Sequence, residues 1–100
     1  MSQNVPLDEL ETAATAYGDT AYAVINSTEG APRVTHVRTR FVGELIEILL
    51  GRGAASAAQS NPSMSLVWPA TADQSMSLIA DGQAEVLEEP APETAVRVRV

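Results

Sequence analysis

From Thr20 onward apolar side chains fall on alternate positions, and this period of two predicts strands with one face inward. TAYAVINS (Thr20–Ser27) predicts the first, and STEGAP (Ser27–Pro32) carries the turn residues that reverse it. RVTHVRTRF (Arg33–Phe41), rich in β-branched residues, predicts the second. Val42-Gly43 makes a short return into ELIEILL (Glu44–Leu50), whose Ile46, Ile48 and Leu50 share a face. Short turns between these three make an antiparallel meander the expected arrangement. SMSLVWP (Ser63–Pro69), with Met64, Leu66 and Trp68 on one face, predicts a fourth strand. SMSLIADGQAEVLEE (Ser75–Glu89) predicts a long fifth with a bend at Asp81-Gly82. TAVRVRV (Thr94–Val100), with Val96, Val98 and Val100 inward, predicts the sixth.

Two segments break the alternation. Over Pro6–Tyr17, Leu7, Leu10, Ala14 and Tyr17 recur at helical spacing. Asp8, Glu9 and Glu11 suit the positive end of a helix dipole there, and Gly18 suits the position after its end. This helix is expected to pack as a lid. GRGAASAAQSNP (Gly51–Pro62) has an alanine-rich centre of high helix propensity, and Asn61-Pro62 should end it. Six strands spaced by roughly 8–13 residues, with one short inserted helix, predict a mainly β fold closed as a small antiparallel barrel. Closure would remove the exposed edges that apolar strands must avoid. The expected organisation is a single domain over residues 1–100, with the helix at 6–17 and the barrel at 20–100.

Composition narrows the function classes. One hundred residues make one domain, and a hydrophobic fraction of 45% supports a core instead of disorder. At this length the core is thin, so a dimer interface is a natural supplement. A net charge of -7 argues against nucleic acid and against anionic membrane surfaces as partners. With no cysteine and one histidine, disulfides, thiolate catalysis and multi-histidine metal sites are excluded. The start, MSQNVPLDELE, lacks the features of a secretory signal, and no apolar run approaches the ~20 residues of a membrane span. A soluble cytoplasmic protein is expected.

Against this acidic background, four of six arginines, Arg33, Arg38, Arg40 and Arg52, crowd into the stretch from Arg33 to Ser56, and there is no lysine. The simplest reason is an anion, and a phosphate suits a strand-turn-helix seam. Strand parity puts Val34, His36, Arg38 and Arg40 on one face and Arg33, Thr35, Val37, Thr39 and Phe41 on the other. The outward face would meet solvent, a partner subunit or a ligand; alternatively its arginines only pair with Glu44, Glu47 or Glu85. GRGAAS opens a helix after a strand, yet Ser56 replaces the third glycine of a dinucleotide fingerprint and no βαβ unit follows. What remains is a local cradle in which Gly51 and Gly53 free backbone N–H groups and Arg52 and Ser56 complete an oxyanion site. The plainer alternative is a glycine-rich connection with a solvated arginine. His36 has no nucleophile or orienting carboxylate at a telling spacing, so no catalytic residue is assigned. Trp68 reads as a core or dimer-interface residue and not as a stacking platform.

In this order, TAYAVINSTEGAPRVTHVRTRF, LLGRGAASAAQSNPSMSLVWP and SLIADGQAEV resemble the pyridoxamine 5′-phosphate oxidase-like, FMN-binding split-barrel family, particularly its short actinobacterial members. The likeness covers about Leu7 to Val100. It implies a six-stranded split barrel, a homodimer, and FMN in a groove between subunits. Arg33 and Arg38 fall where the family has R-x-x-x-x-K beside the flavin ring, with His36 between them. Arg52 falls on the first of the family's basic pair after the next strand. Gly53 stands in place of the second, reducing the phosphate clamp by one cation. Ser77 stands where such oxidases carry a cofactor-contacting glutamine. The C-terminal segment that supplies substrate-binding arginine and histidine has no counterpart. The implied function is therefore a flavin- or deazaflavin-dependent redox protein of unassigned substrate, with a deazaflavin coenzyme as the alternative cofactor. The rival expectation is a non-enzymatic barrel binding haem or a tetrapyrrole.

Overall fold

Each alternating segment becomes a strand because one of its faces is apolar enough to bury and the other is not. The computed structural model describes residues 5–26 and 30–100. Its strands are β1 (Thr20–Ile25), β2 (Arg33–Arg38), β3 (Arg40–Val42), β4 (Leu45–Leu50), β5 (Ser63–Trp68), β6 (Leu78–Val86) and β7 (Thr94–Arg99). Its helices are α1 (Leu10–Thr15) and α2 (Arg52–Ser60). All seven strands form one antiparallel sheet, in the order β2-β1-β5-β6-β7-β4-β3, curled into a half-barrel so that β2 returns beside β4. The inner face holds the expected sets: Ile46, Ile48 and Leu50, then Met64, Leu66 and Trp68, then Val96 and Val98, all buried. No helix among the described residues is long and apolar enough to cross a membrane.

The sheet has seven strands where the periodicity predicts six, because the basic segment Arg33–Phe41 is divided at Thr39. The backbone N–H of Thr39 donates to the Asp19 carbonyl at 2.8 Å, and its hydroxyl donates to the same oxygen at 3.3 Å. Before Thr39 the chain pairs with β1, Arg38 opposite Thr20; after it the chain pairs with β4, Arg40 opposite Glu47. This change of partner replaces the simple meander, since β1 is flanked by β2 and β5 and β2 is not paired with β4. It also leaves strand edges that barrel closure was expected to remove. β3 and β4 are joined through Gly43, whose φ of +61° is the left-handed conformation glycine adopts without penalty.

Other boundaries shift for local reasons. The helix expected over 6–17 splits into a 3₁₀ turn at Leu7–Glu9, started by a bond from Glu9 N–H to the Pro6 carbonyl, and the six-residue α1. Leu7 is consequently exposed, and Leu10 and Ala14 carry the burial. Ser75–Ser77 do not join β6: the Tyr17 hydroxyl donates to the Met76 carbonyl at 2.7 Å and Ala70 N–H donates to Ser77 Oγ at 3.2 Å, tying this stretch to the turn after α1 and to its own loop. β6 runs unbroken through Asp81-Gly82. Val100 lies beyond β7 and is partly exposed, not inward. Of the turn predicted at Ser27–Pro32, Ser27 to Glu29 lie outside the described residues.

Candidate functional site: a forked groove between β2 and β4

The switch at Thr39 builds the site. Past the Arg40–Glu47 pair, β2 veers to β1 while β4 continues through Ile48, Leu49 and Leu50 with β7 alone as partner. Two strand edges thus diverge like the arms of a fork, each with backbone groups that no third strand satisfies. A groove of about 430 Å³ lies between them, lined by His36, Val37, Arg38 and Arg40 on one bank and Glu47, Ile48, Leu49, Leu87, Ala95 and Val96 on the other. One bank is cationic and the other largely aliphatic. Leu49 and Leu87, both exposed, line it.

On the basic bank, His36 stacks on Tyr22, its cross-strand neighbour on β1, with ring centroids 4.8 Å apart and planes inclined by 27°. Stacking fixes the imidazole beside the groove instead of leaving it to rotate in solvent. Arg38 lies 3.9 Å from the Asp19 carboxylate, but both side chains are largely exposed, so this pair is screened and holds the guanidinium loosely. At the vertex, Glu47 receives a hydrogen bond from Arg97 Nε at 3.0 Å and has Arg40 Nη1 at 4.0 Å.

The open end of the fork meets α2. Gly51 is its N-cap in extended conformation, and no side chain caps the first turn. That turn also contains no acidic residue, although an uncapped helix start carries partial positive charge. Arg33, from the start of β2, lays its guanidinium over Gly53: a Cβ there would stand 3.0 Å from Arg33 Nη1. Arg33 and Arg52 have no ion pair among the described residues. Arg33 therefore brings a cationic group to the start of α2, unpaired among the described residues, in a chain that is strongly acidic overall.

Of the residues singled out from sequence, His36 and Arg38 line the groove, whereas Arg33, Gly51, Arg52 and Gly53 do not line it: Arg33 meets Gly53 beyond its open end, where Gly51 and Arg52 begin α2. Ser56, one helical turn beyond Arg52, is exposed. Ser77 is not gathered here: it sits in the β5–β6 connection, separated from β2 by β5 and β1 in the sheet. The sequence reading named Glu47 among the acids with which the strand's arginines could pair, and Arg40 does stand 4.0 Å from it; the reading missed Leu49, Leu87 and Arg97. Leu49 carried a signal, a leucine on the outward parity between Ile48 and Leu50. Leu87 and Arg97 become neighbours of the site only through β7. Among the described residues no cluster of three His, Asp or Glu side chains converges as a metal site would require. The chain matches no family model, and no curated protein or solved structure matches it.

Proposed function

We propose that the fork is a nucleotide-type cofactor site and that the chain is a flavin- or deazaflavin-binding redox protein built like the pyridoxamine 5′-phosphate oxidase-like split barrels. In this reading β2 and β3 count as one bent strand, which gives the six strands of that barrel. The observation that carries it is the Arg33 guanidinium seated over Gly53 at the uncapped start of α2. Gly53 removes a cation from the expected phosphate clamp, and Arg33 returns one to the same place from across the fork.

The residues present fit such a group. The groove volume lies within the ~300–1,000 Å³ usual for small-molecule sites, with one aliphatic wall facing a bank that carries His36, Arg38 and Arg40. Along β2 Arg33 lies about 10 Å from His36 and on the opposite face of the strand, so a ligand that reaches both would cross the free edge of β2, with its ring beside His36 and its polyol phosphate at Arg33. Bound FMN or deazaflavin would supply the hydride chemistry. The chain's residues bind and orient: Arg33, Arg52 and the first backbone N–H groups of α2 hold phosphate, while Leu49 and Leu87 keep water from one wall. No side chain acts as acid or base. In a single chain the groove opens on the outer face of the sheet, which is why a homodimer, with a second subunit covering it, belongs to the proposal.

The test is an absorption spectrum of the protein as purified, followed by melting with added FMN and with a deazaflavin. Free ligand at 100 times Kd should add about 2.7 kcal/mol to stability. A colourless protein whose melting is unmoved by either ligand would defeat the reading. A second reading, a non-enzymatic barrel for haem or another tetrapyrrole, draws on the one imidazole of the chain lining the groove, since histidine is a common haem-iron ligand. A haem-type spectrum in place of a flavin-type one would favour it.

A further inference from the structure

Glu47 at the vertex of the fork is shared unequally by two arginines. It stands directly opposite Arg40 on β3 and directly opposite Arg97 on β7. Arg97 makes a hydrogen bond at 3.0 Å to one carboxylate oxygen, whereas Arg40 reaches only within 4.0 Å of the other. Arg40 is 79% exposed in its side chain and Glu47 28%. Arg40 and Glu47 line the groove; Arg97 does not.

We infer that Arg40 is a ligand-contacting arginine of this groove, parked on Glu47 when no ligand is bound and released to the ligand when one arrives. The inference rests on the flavin reading and adds an orientation to it. The polyol phosphate points to Arg33 and Gly53 at the open end, and the carbonyl-bearing edge of the ring points to Arg40 at the vertex.

Three physical points carry it. A pair held only at 4.0 Å, with its arginine largely in solvent, has little to lose when broken. Glu47 keeps its hydrogen bond from Arg97 when Arg40 leaves, so no carboxylate is stranded without a partner. A carbonyl acceptor held against the aliphatic bank offers the guanidinium a directed, partly desolvated bond that the 4.0 Å pair does not supply. Glu47 and the ligand thus compete for one arginine, and weakening the competitor strengthens the ligand. The other charged or titratable groups lining the groove are His36 and Arg38, both on the β2 bank.

The experiment measures Kd for riboflavin and for FMN by fluorescence titration, in wild type and four variants. Arg40→Gln should weaken both ligands about tenfold. Glu47→Gln should tighten both by about threefold, the opposite sign from its own salt-bridge partner. Arg97→Gln, outside the groove, should weaken both, because Glu47 then holds Arg40 more firmly. Arg33→Ala should weaken FMN more than riboflavin. If Glu47→Gln unfolds the chain, Glu47→Asp, which shortens the reach to Arg40, should tighten binding in the same sense. Glu47 and Arg40 variants that shift affinity in the same direction, or not at all, overturn the inference while leaving the flavin reading intact, provided wild type binds and Arg33→Ala separates the two ligands. Wild type that binds neither flavin overturns both.

Discussion

Two glycines show how differently the same missing side chain is used. At Gly82 a Cβ would lie 2.5 Å from the Arg99 carbonyl oxygen and 3.0 Å from its carbonyl carbon, so β6 and β7 approach too closely for any side chain. Backbone cannot swing aside as a long side chain can, and Gly82→Ala should cost about 3 kcal/mol, read as a lowered urea midpoint. At Gly53 the Cβ would instead meet the mobile end of Arg33. Gly53→Ala removes the helix penalty of glycine and should raise stability by about 0.5–1 kcal/mol while pushing Arg33 off its seat and weakening FMN. Stability and affinity moving in opposite directions, in melting and titration on one preparation, is the expected result; a gain in both would remove Gly53 from the site. The sequence marks both positions as glycine and cannot tell them apart. What differs is the neighbour, a paired strand in one case and an arginine twenty positions upstream in the other.

Among elements, α2 departs most plainly from local rules. Nine residues long, it buries Ala55 and Ala58 against the barrel and is therefore held by packing. Its start lacks a side-chain cap and first-turn acid and has Arg33 and Arg52 close by, a combination that costs stability in the free protein. Such violations concentrate at functional sites, where a ligand supplies what the fold omits. Gly51→Asp, at a position whose φ of -68° and ψ of 169° suit any residue, should cap the helix and raise stability by roughly 0.5 kcal/mol. It should also depress FMN affinity at least tenfold by occupying the anion position with a carboxylate. Unchanged FMN affinity would mean that phosphate does not bind there. Helix α2 and strands β4 and β5 were legible from period and punctuation, since Gly51 and Asn61-Pro62 mark the helix ends chemically. The division of the basic strand was not, because Thr39 is a good strand residue and turns the chain only through its contact with Asp19.

For the whole molecule, the outer face of the sheet carries exposed apolar side chains on β2, β1 and β6. Val34 and Ile79 are 63% and 57% exposed, with Tyr22 between their strands. Singly such residues mean little, but together on one face they suit the second subunit that the proposed site calls for. Val34→Glu should convert a dimer to a monomer in sedimentation, leave the secondary structure unchanged, and lower FMN affinity. A wild-type chain that sediments as a monomer at high micromolar concentration would remove the subunit from the proposal.

Sequence by itself determined the inward-facing sets of β4 and β5 and Val96 and Val98 of β7, though not the exposure of Leu7 and Val100, that the fold is antiparallel and mainly β, where α2 begins and ends, and that cationic charge is concentrated between Arg33 and Arg52. These follow from periodicity, turn chemistry and composition, which are properties of neighbouring residues. Only the tertiary structure decided that β2 parts from β4 at Thr39, that the gap becomes a groove, that Arg33 lies on Gly53, and that Glu47 stands between Arg40 and Arg97. Each of these depends on strand register and on the curl of the sheet, which bring together residues whose separation along the chain carries no local signal.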